Sequence, residues 1–208
     1  MKRTFFILAA ACVMAACAQP SGQTADTAAG ASFDEVVASR RSIRNYDATK
    51  TISEAEVRTL IATAQEAPSW ANTQTSRYYV AFSKEKADAV REYIGEWNRK
   101  NTEGAPVFIV STFVKGRSGF GRNGEPANEV GDGWGAYDNG LSDAHLVLKA
   151  RAMGFDTLIM GGRDAEGLRS LFQIPEEEAI MAVIALGHRA ADPQRPARKP
   201  LDEIVKFF

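Results

Sequence analysis

The chain from Ser32 onward predicts a mixed fold, α+β or α/β, in which helices cover the faces of one sheet. Three observations carry this. Helical and strand-like apolar patterns alternate along the sequence, and the longest helical pattern spans residues 134–153. Val107 to Val114 is an almost continuous apolar run, as a strand buried on both faces would be.

Ser32 followed by Glu35 has the spacing of a capping box, and Phe33, Val36 and Val37 give a short apolar face. Residues 32–41 are therefore expected as a helix. Ser53 and Glu56 repeat that signature ahead of Val57, Leu60, Ile61 and Ala64, and this second helix should stop near Ala67-Pro68. Residues 77–82 are aromatic and β-branched, which predicts a strand, and 84–98 return to helical spacing through Val90, Ile94 and Trp97. Beyond the buried strand, Gly116 to Gly133 is a Gly-rich polar loop of a length that usually accompanies function. The long helix should bury Leu141, Ala144, Leu148 and Met153 and end at Gly154. A strand at 155–160, a short helix at 164–172 and a strand at 180–186 complete the pattern, and the tail from Arg189 is rich in Pro and Arg.

Ahead of Ser32 the chain reads as an export signal. Met1-Lys2-Arg3 is positively charged and Phe5 to Met14 is apolar throughout, the layout of a secretory signal peptide. Pro20, Ser21, Gln23 and Asp26 interrupt the run short of the ~20 apolar residues that a spanning helix needs. Met14-Ala15-Ala16-Cys17 resembles a bacterial lipobox, with Met in place of the usual Leu, which implies cleavage before Cys17 and a lipid on its thiol. An ordinary signal cleaved at an Ala-x-Ala site between Ala9 and Ala18 is the alternative. The expected organisation is a lipoprotein signal peptide at 1–16, a flexible tether at 17–31 whose small polar residues have nothing to bury, and one folded domain at 32–208. Ala18 after Cys17, in place of Asp, favours anchoring on the periplasmic side of an outer membrane.

Loss of residues 1–16 leaves 23 basic against 26 acidic residues, a formal net charge of −3, which argues against a nucleic-acid partner. Cys12 leaves with the signal and Cys17 would be acylated, so the folded part has no thiol for catalysis, metal or disulfide. There is no GxSxG elbow and no HExxH. Gly119 to Gly124 spells GxGxxG, but Pro126 and Gly131 follow where a helix N-terminus would have to receive a pyrophosphate. His145 and His188 are far apart, and a packing or surface role suits His145 within the long helix.

The informative segment is Arg40-Arg41-Ser42-Ile43-Arg44, at the expected end of the first helix. Its three guanidiniums and one hydroxyl suit a phosphate and the polar edge of a cofactor, because Arg binds oxyanions bidentately and keeps its charge. Taken alone, a solvated basic helix end complementing the helix dipole explains it as well. About two dozen residues later comes Ala67-Pro68-Ser69-Trp70-Ala71-Asn72-Thr73-Gln74. Together the two segments resemble the RRSxR and APSxxNxQPW patterns of the nitroreductase family. The resemblance continues through Ala105-Pro106-Val107, Leu158-Ile159-Met160-Gly161-Gly162, Ala185-Leu186-Gly187 and residues 198–204, and so covers nearly everything from Phe33 to Phe208.

This resemblance implies an α+β, nitroreductase-like fold, with a mostly antiparallel central sheet flanked by helices, and an intertwined homodimer holding FMN at its interface. It implies an FMN-dependent oxidoreductase that passes electrons from NAD(P)H to nitro-aromatic, quinone or similar small acceptors. The flavin would carry the chemistry, with no catalytic side chain and no metal. By similarity Arg40 and Ser42 hold the phosphate and ribityl end with Arg41 nearby. Arg44 lies against the N1 and C2-carbonyl edge, where a fixed cation favours reduced, anionic flavin. Pro68, Ser69, Trp70 and Asn72 come from the partner subunit to line the ring, and Gly161 and Gly162 let backbone N–H groups approach N5 and O4. Arg198 and Lys199 complete the phosphate site, and Asn98 is a looser match at the pyrimidine edge. Gln74-Thr75-Ser76 stands where the family has Gln-Pro-Trp, so one aromatic is missing, for which Trp70 and Trp134 would compensate. Two alternatives stay open: a lipid-anchored flavin electron relay, suited to a compartment where nicotinamide cofactors are scarce, and a dehalogenase or oxidase of the same fold acting on one small molecule.

Overall fold

The computed structural model describes residues 30–208. The signal segment, Cys17 and the tether lie outside the described residues, apart from Gly30 and Ala31. In chain order the elements are α1 (Phe33–Ser39), α2 (Glu54–Gln65), β1 (Ser76–Ala81), α3 (Lys84–Arg91), α4 (Glu96–Asn101), β2 (Val107–Val114), α5 (Gly133–Ala152), β3 (Asp156–Met160), α6 (Ala165–Phe172) and β4 (Glu178–Gly187). Single 3-10 turns form at Trp70–Asn72 and Leu201–Glu203. The strands make one antiparallel sheet in the order β1-β2-β4-β3, flanked by helices, as the α+β expectation requires.

Both capping boxes form. The Ser32 and Ser53 hydroxyls accept from the Glu35 and Glu56 N–H groups, and each glutamate accepts from its serine's N–H at 2.7 Å; each cap stabilises its helix by about 1 kcal/mol. Alternation along the sheet feeds two cores. Val107 and Ile109 of β2 join Ile184 and Leu186 of β4 beneath α2 and α5, whereas Phe108 and Val110 join Leu158, Met160, Val183 and Ala185 beneath α3 and α6. Each fully buried side chain of this size contributes about 1.5–3 kcal/mol.

Three elements depart from the sequence expectations. The first helix ends at Ser39, not Arg41, and Arg40 turns to extended backbone (φ −64°, ψ 129°). Residues 42–43 then run beside β3: Ser42 pairs in parallel with Thr157, and the Ile43 N–H donates to the Thr157 carbonyl at 3.0 Å. The helix expected at 84–98 is two helices, because the chain turns between Arg91 and Glu96 and Gly95 caps the second. Val90 and Ile94 are buried as expected, but Trp97 is 72% exposed.

The third departure concerns α5, which buries the face opposite to the one expected. Leu141 and Leu148 are half-buried and Ala144 is exposed. The covered stripe carries Asp138, Asn139, Ser142 and Asp143, then Leu146, Val147, Ala150 and Arg151. Burial of these polar groups is compensated by hydrogen bonds. The Ser111 hydroxyl reaches Asp143 Oδ1 at 2.8 Å and Asn139 Nδ2 donates to the Thr112 carbonyl at 3.3 Å, where a bulge breaks the β2 register.

Candidate functional site

Extended backbone at residues 40–44 sends alternate side chains to opposite sides. Ile43 fills the core, while Ser42 and Arg44 emerge to solvent. They open on a cleft of about 210 Å³ whose far wall is Pro193, Gln194, Arg195, Pro196 and Arg198. With Arg40 and Arg41 the cleft gathers five arginines. Lys199 is instead within 3.9 Å of Glu203 and does not line it. A roomier groove of about 810 Å³ carries both signs of charge, with Lys50, Lys84, Asp88 and Glu103, and so lacks this convergence.

A buried carboxylate fixes the cleft's inner wall. Asp156, at the start of β3, accepts from Arg189 Nε at 2.9 Å and from a second guanidinium nitrogen at 2.5 Å, and Arg151 approaches it at 3.4 Å. The same arginines hold the turn before the motif. Arg151 Nε donates to the Ser39 hydroxyl at 3.1 Å, and Arg189 and Arg41 both donate to the Ser39 carbonyl, Arg41 at 2.7 Å. Arg41 also sits 3.9 Å from Asp192, so it is tied into this scaffold while Arg40 and Arg44 are in no ion pair among the described residues.

Gly161 and Gly162 follow β3 directly, on the strand beside which residues 42–43 run. A Cβ at Gly161 would meet no atom within 4 Å, so the chain itself leaves that side open. Ile159, which shares the outward side of β3 with Gly161 by alternation, is 48% exposed. Asn98 donates to the Gly162 carbonyl at 3.1 Å. It braces the glycine pair rather than extending toward a ligand's edge.

The Pro68–Asn72 loop lies elsewhere on the subunit. Ala71, Asn72 and Gln74 all take left-handed backbone (φ 45°, 56° and 50°), which strains side chains other than Gly. Anchors hold it: the Trp70 N–H donates to Asp138 Oδ2 at 2.9 Å, the Gln74 N–H to the Ser69 hydroxyl at 3.0 Å, and Thr73 meets Ser118 at 2.7 Å. Trp70 packs on Trp134 with ring centroids 4.8 Å apart, and Trp134 meets Tyr137 edge-on at 5.7 Å. The 116–133 segment folds against Trp134. Gly119 (φ +81°) lies so near that a Cβ there would fall 2.6 Å from the indole.

The loop and the cleft sit toward opposite ends of α5. Trp70 is held by Asp138 and the turn before the arginine motif by Arg151, so at 1.5 Å per residue the two anchors are roughly 20 Å apart. The structure therefore brings Arg40, Arg41, Ser42, Arg44 and Arg198 to one cleft, with Gly161 and Gly162 on the neighbouring strand. It keeps Pro68, Ser69, Trp70 and Asn72 apart from them within one subunit.

The amino-acid sequence matches the nitroreductase family over residues 37–188, well over half of the chain. The chain belongs to the nitroreductase family. Among its relatives, YdgI of Bacillus subtilis (strain 168), which bears the name of an NAD(P)H nitroreductase, is 27% identical over 202 residues, covering 84% of this chain and 97% of that protein. A protein of Thermus thermophilus named NADH dehydrogenase is 26% identical over 189 residues, covering 80% of this chain and 91% of that one. In fold, the chain is similar to a nitroreductase-named protein from Exiguobacterium sibiricum 255-15 solved in complex with FMN, with a TM-score of 0.77 and 23% identity over 87% of this chain and 99% of that one.

Sequence reasoning missed the residues that hold the arginine cleft and the tryptophan loop in shape. Asp156, Arg189 and Arg151 support the arginine motif, and Asp138 and Ser118 support the tryptophan loop. Their partners lie up to 150 residues away along the chain, so no local pattern announces them.

Proposed function

We propose that this chain is an NAD(P)H-dependent flavin oxidoreductase that holds FMN at the arginine cleft and passes electrons to nitro-aromatic, quinone or similar small acceptors. The observation that carries this reading is the convergence of Arg40, Ser42, Arg44 and Arg198 on one cleft, with the open side of Gly161 just past the end of the adjoining strand. The donor set fits the cofactor: several unneutralised guanidiniums suit a phosphate dianion, and the Cβ-free side of Gly161 leaves room for a flat ring. The printed names of the Bacillus and Thermus relatives and the FMN in the Exiguobacterium complex support the same reading. When bound, FMN supplies the redox chemistry. Arg40 and Arg198 hold the phosphate, Ser42 hydrogen-bonds beside it, and Arg44 presents a fixed cation to the pyrimidine edge.

The working unit in this proposal is a homodimer. A two-fold axis crossing α5 near its middle would set each subunit's Trp70 loop against the other's arginine cleft, closing the ~20 Å gap that one subunit leaves. Tyr137, 60% exposed, with Leu141, Ala144 and Leu148 supplies an uncovered apolar face at helical spacing for that contact. We also propose export and a lipid anchor on Cys17, on the periplasmic side, from the apolar run and the Met14–Cys17 sequence. Cys17→Ser should release the protein from membranes or leave it unprocessed, and unchanged membrane fractionation would remove the anchor from this account.

The decisive experiment is to purify the full chain, measure the flavin bound per subunit, and add NADH or NADPH without oxygen. Bleaching of a yellow protein, reversed by a quinone or nitro-aromatic, is the expected result. A protein that stays colourless with added FMN rules the cofactor out. Bound FMN that neither nucleotide reduces, yet a reduced protein partner does, would replace the enzyme with an electron relay.

A further inference from the structure

The peptide that joins Gly161 to Gly162 is gripped from behind. Arg163 donates from one guanidinium nitrogen to the Gly161 carbonyl at 3.2 Å and from the other to the Ile180 carbonyl on β4. The next carbonyl, of Gly162, accepts from Asn98 Nδ2 at 3.1 Å and from the Gly95 N–H at 3.4 Å. Two residues further on, the Asp164 N–H donates to the Tyr93 carbonyl at 2.7 Å. The interruption between α3 and α4 thus supplies the backbone groups at Tyr93 and Gly95 that hold residues 162–164, which an unbroken helix would have kept for itself.

Peptide geometry turns this grip into an orientation. No peptide bond among the described residues is cis, so in the planar unit the Gly161 carbonyl and the Gly162 N–H point in opposite directions. With the carbonyl pinned by Arg163, the N–H is directed away from the guanidinium. A guanidinium on the carbonyl also polarises the same peptide, and charge-assisted bonds of this kind are about twice as strong as neutral ones. Arg163 pairs with no carboxylate among the described residues, and its buried Nε has no hydrogen-bond partner. It therefore stands as an unneutralised, partly desolvated cation directly behind the glycine pair.

We propose that Arg163 is a positioning residue for the reactive edge of the flavin: it orients and polarises the Gly161–Gly162 peptide so that the Gly162 N–H is held as a strong donor toward the N5 and O4 edge, favouring the reduced cofactor. This rests on the reading that FMN binds at the arginine cleft. The effect acts through the peptide and through the nearby positive charge, both of which matter more as the flavin gains electron density.

The test uses the full chain loaded with FMN and compares Arg163→Met and Arg163→Lys with the wild type in midpoint potential, visible absorption and FMN affinity. In Arg163→Met the affinity ratio of reduced to oxidised FMN should fall about tenfold, equal to about 30 mV for a two-electron couple. The flavin absorption band should shift, with little loss of affinity for oxidised FMN. Arg163→Lys, which keeps a cation able to reach one carbonyl, should recover part of the potential. An unchanged potential and spectrum in Arg163→Met, even with a lower melting temperature, would reduce Arg163 to a tie between strands. If Arg163→Met does not fold or load, Arg163→Lys decides: a potential below the wild type supports the proposal and a wild-type value overturns it. A wild-type chain that binds no FMN would overturn the cofactor reading itself, and would be seen before any variant is made.

Discussion

At the C-terminal end of α5 the buried polar groups are ions paired with ions, whereas at the N-terminal end they are carboxylates served by neutral donors. Around Asp156, burial draws the Arg151 guanidinium below its ordinary pKa, while for Arg189 the effect of burial is outweighed by the Asp156 and Asp192 carboxylates, which hold it above. Asp138 accepts from Ser118 Oγ at 2.6 Å and from the Trp70 N–H, and Asp143 from Ser111 and Tyr78, with no cation among these partners. The first arrangement fixes two arginines and leaves Arg40, Arg44, Arg195 and Arg198 outside any ion pair among the described residues, ready for an anion. The second holds a strained loop and presents uncharged aromatic rings. In the proposed dimer the first end would receive the phosphate and the second would cover the ring face from the partner subunit.

The strongest way to break that pairing is to prevent the two ends from meeting. Ala144 is exposed midway along the uncovered face of α5, so Ala144→Arg should yield a folded monomer that has lost FMN. Light scattering together with flavin absorbance checks this, and a monomer that keeps its FMN would defeat the two-subunit site. Next in size is the contrast between the two sets of anchors. Asp156→Ala removes the buried carboxylate that Arg189 and Arg151 share, leaving Asp192 beside Arg189, and should cost about 3–5 kcal/mol in urea unfolding. Asp138→Ala leaves only neutral donors unpaired and should cost about 1–3 kcal/mol. Equal losses would mean that the charged and neutral ends are not stabilised differently.

The fold was legible where local signals and burial agree. Both capping boxes and the two-sided burial of residues 107–114 appear as the sequence predicts. The break before α4 escaped because Val90 and Ile94 have the same spacing in a continuous helix as in one that restarts at Gly95. The buried face of α5 escaped for a different reason. Asp138, Asn139 and Asp143 look like a solvated stripe, and only their bonds to Ser118, Thr112 and Ser111, distant in the chain, make burial affordable. At the site, residues 40–44 were legible as a group because they are contiguous, but their extended backbone was not, since Thr157, which Ser42 pairs with, cannot be read beside them in the sequence.

A smaller effect separates two arginines of the same cleft. Arg44 lies across Ser42 from Arg40, and among the described residues its guanidinium donates only to the Ser42 carbonyl, at 3.3 Å. If it faces the pyrimidine edge of FMN, Arg44→Ala should lower the midpoint potential by several tens of millivolts, about 30 mV being 1.4 kcal/mol for two electrons. FMN should remain largely bound. Arg40→Ala should do the reverse, weakening FMN retention with little change in potential. Potentiometry and FMN titration of the two variants check this, and an exchange of the two behaviours would reverse the assignment within the motif.

The smallest expected effect tests the neutral end alone. Burial pushes the Asp143 carboxyl up to about 6, only partly offset by hydrogen bonds from Ser111 and Tyr78. A carboxyl whose folded value lies above its unfolded value of about 3.9 binds its proton more tightly in the native state, so stability rises as pH falls through about 6. Asp143 should therefore make the protein about 1 kcal/mol more stable at pH 5 than at pH 7.5, the opposite sign to a carboxylate paired with an arginine. Other groups titrate across the same range, and the variant isolates this one. Asp143→Asn keeps an oxygen to accept from Tyr78 but cannot ionise, so the difference in unfolding free energy between variant and wild type should favour the variant at pH 7.5 and shrink toward pH 5. Urea unfolding at the two pH values measures it. A difference that does not change with pH would show that Asp143 is not held protonated by burial, and that the two ends of α5 are less unlike in charge than their partners indicate.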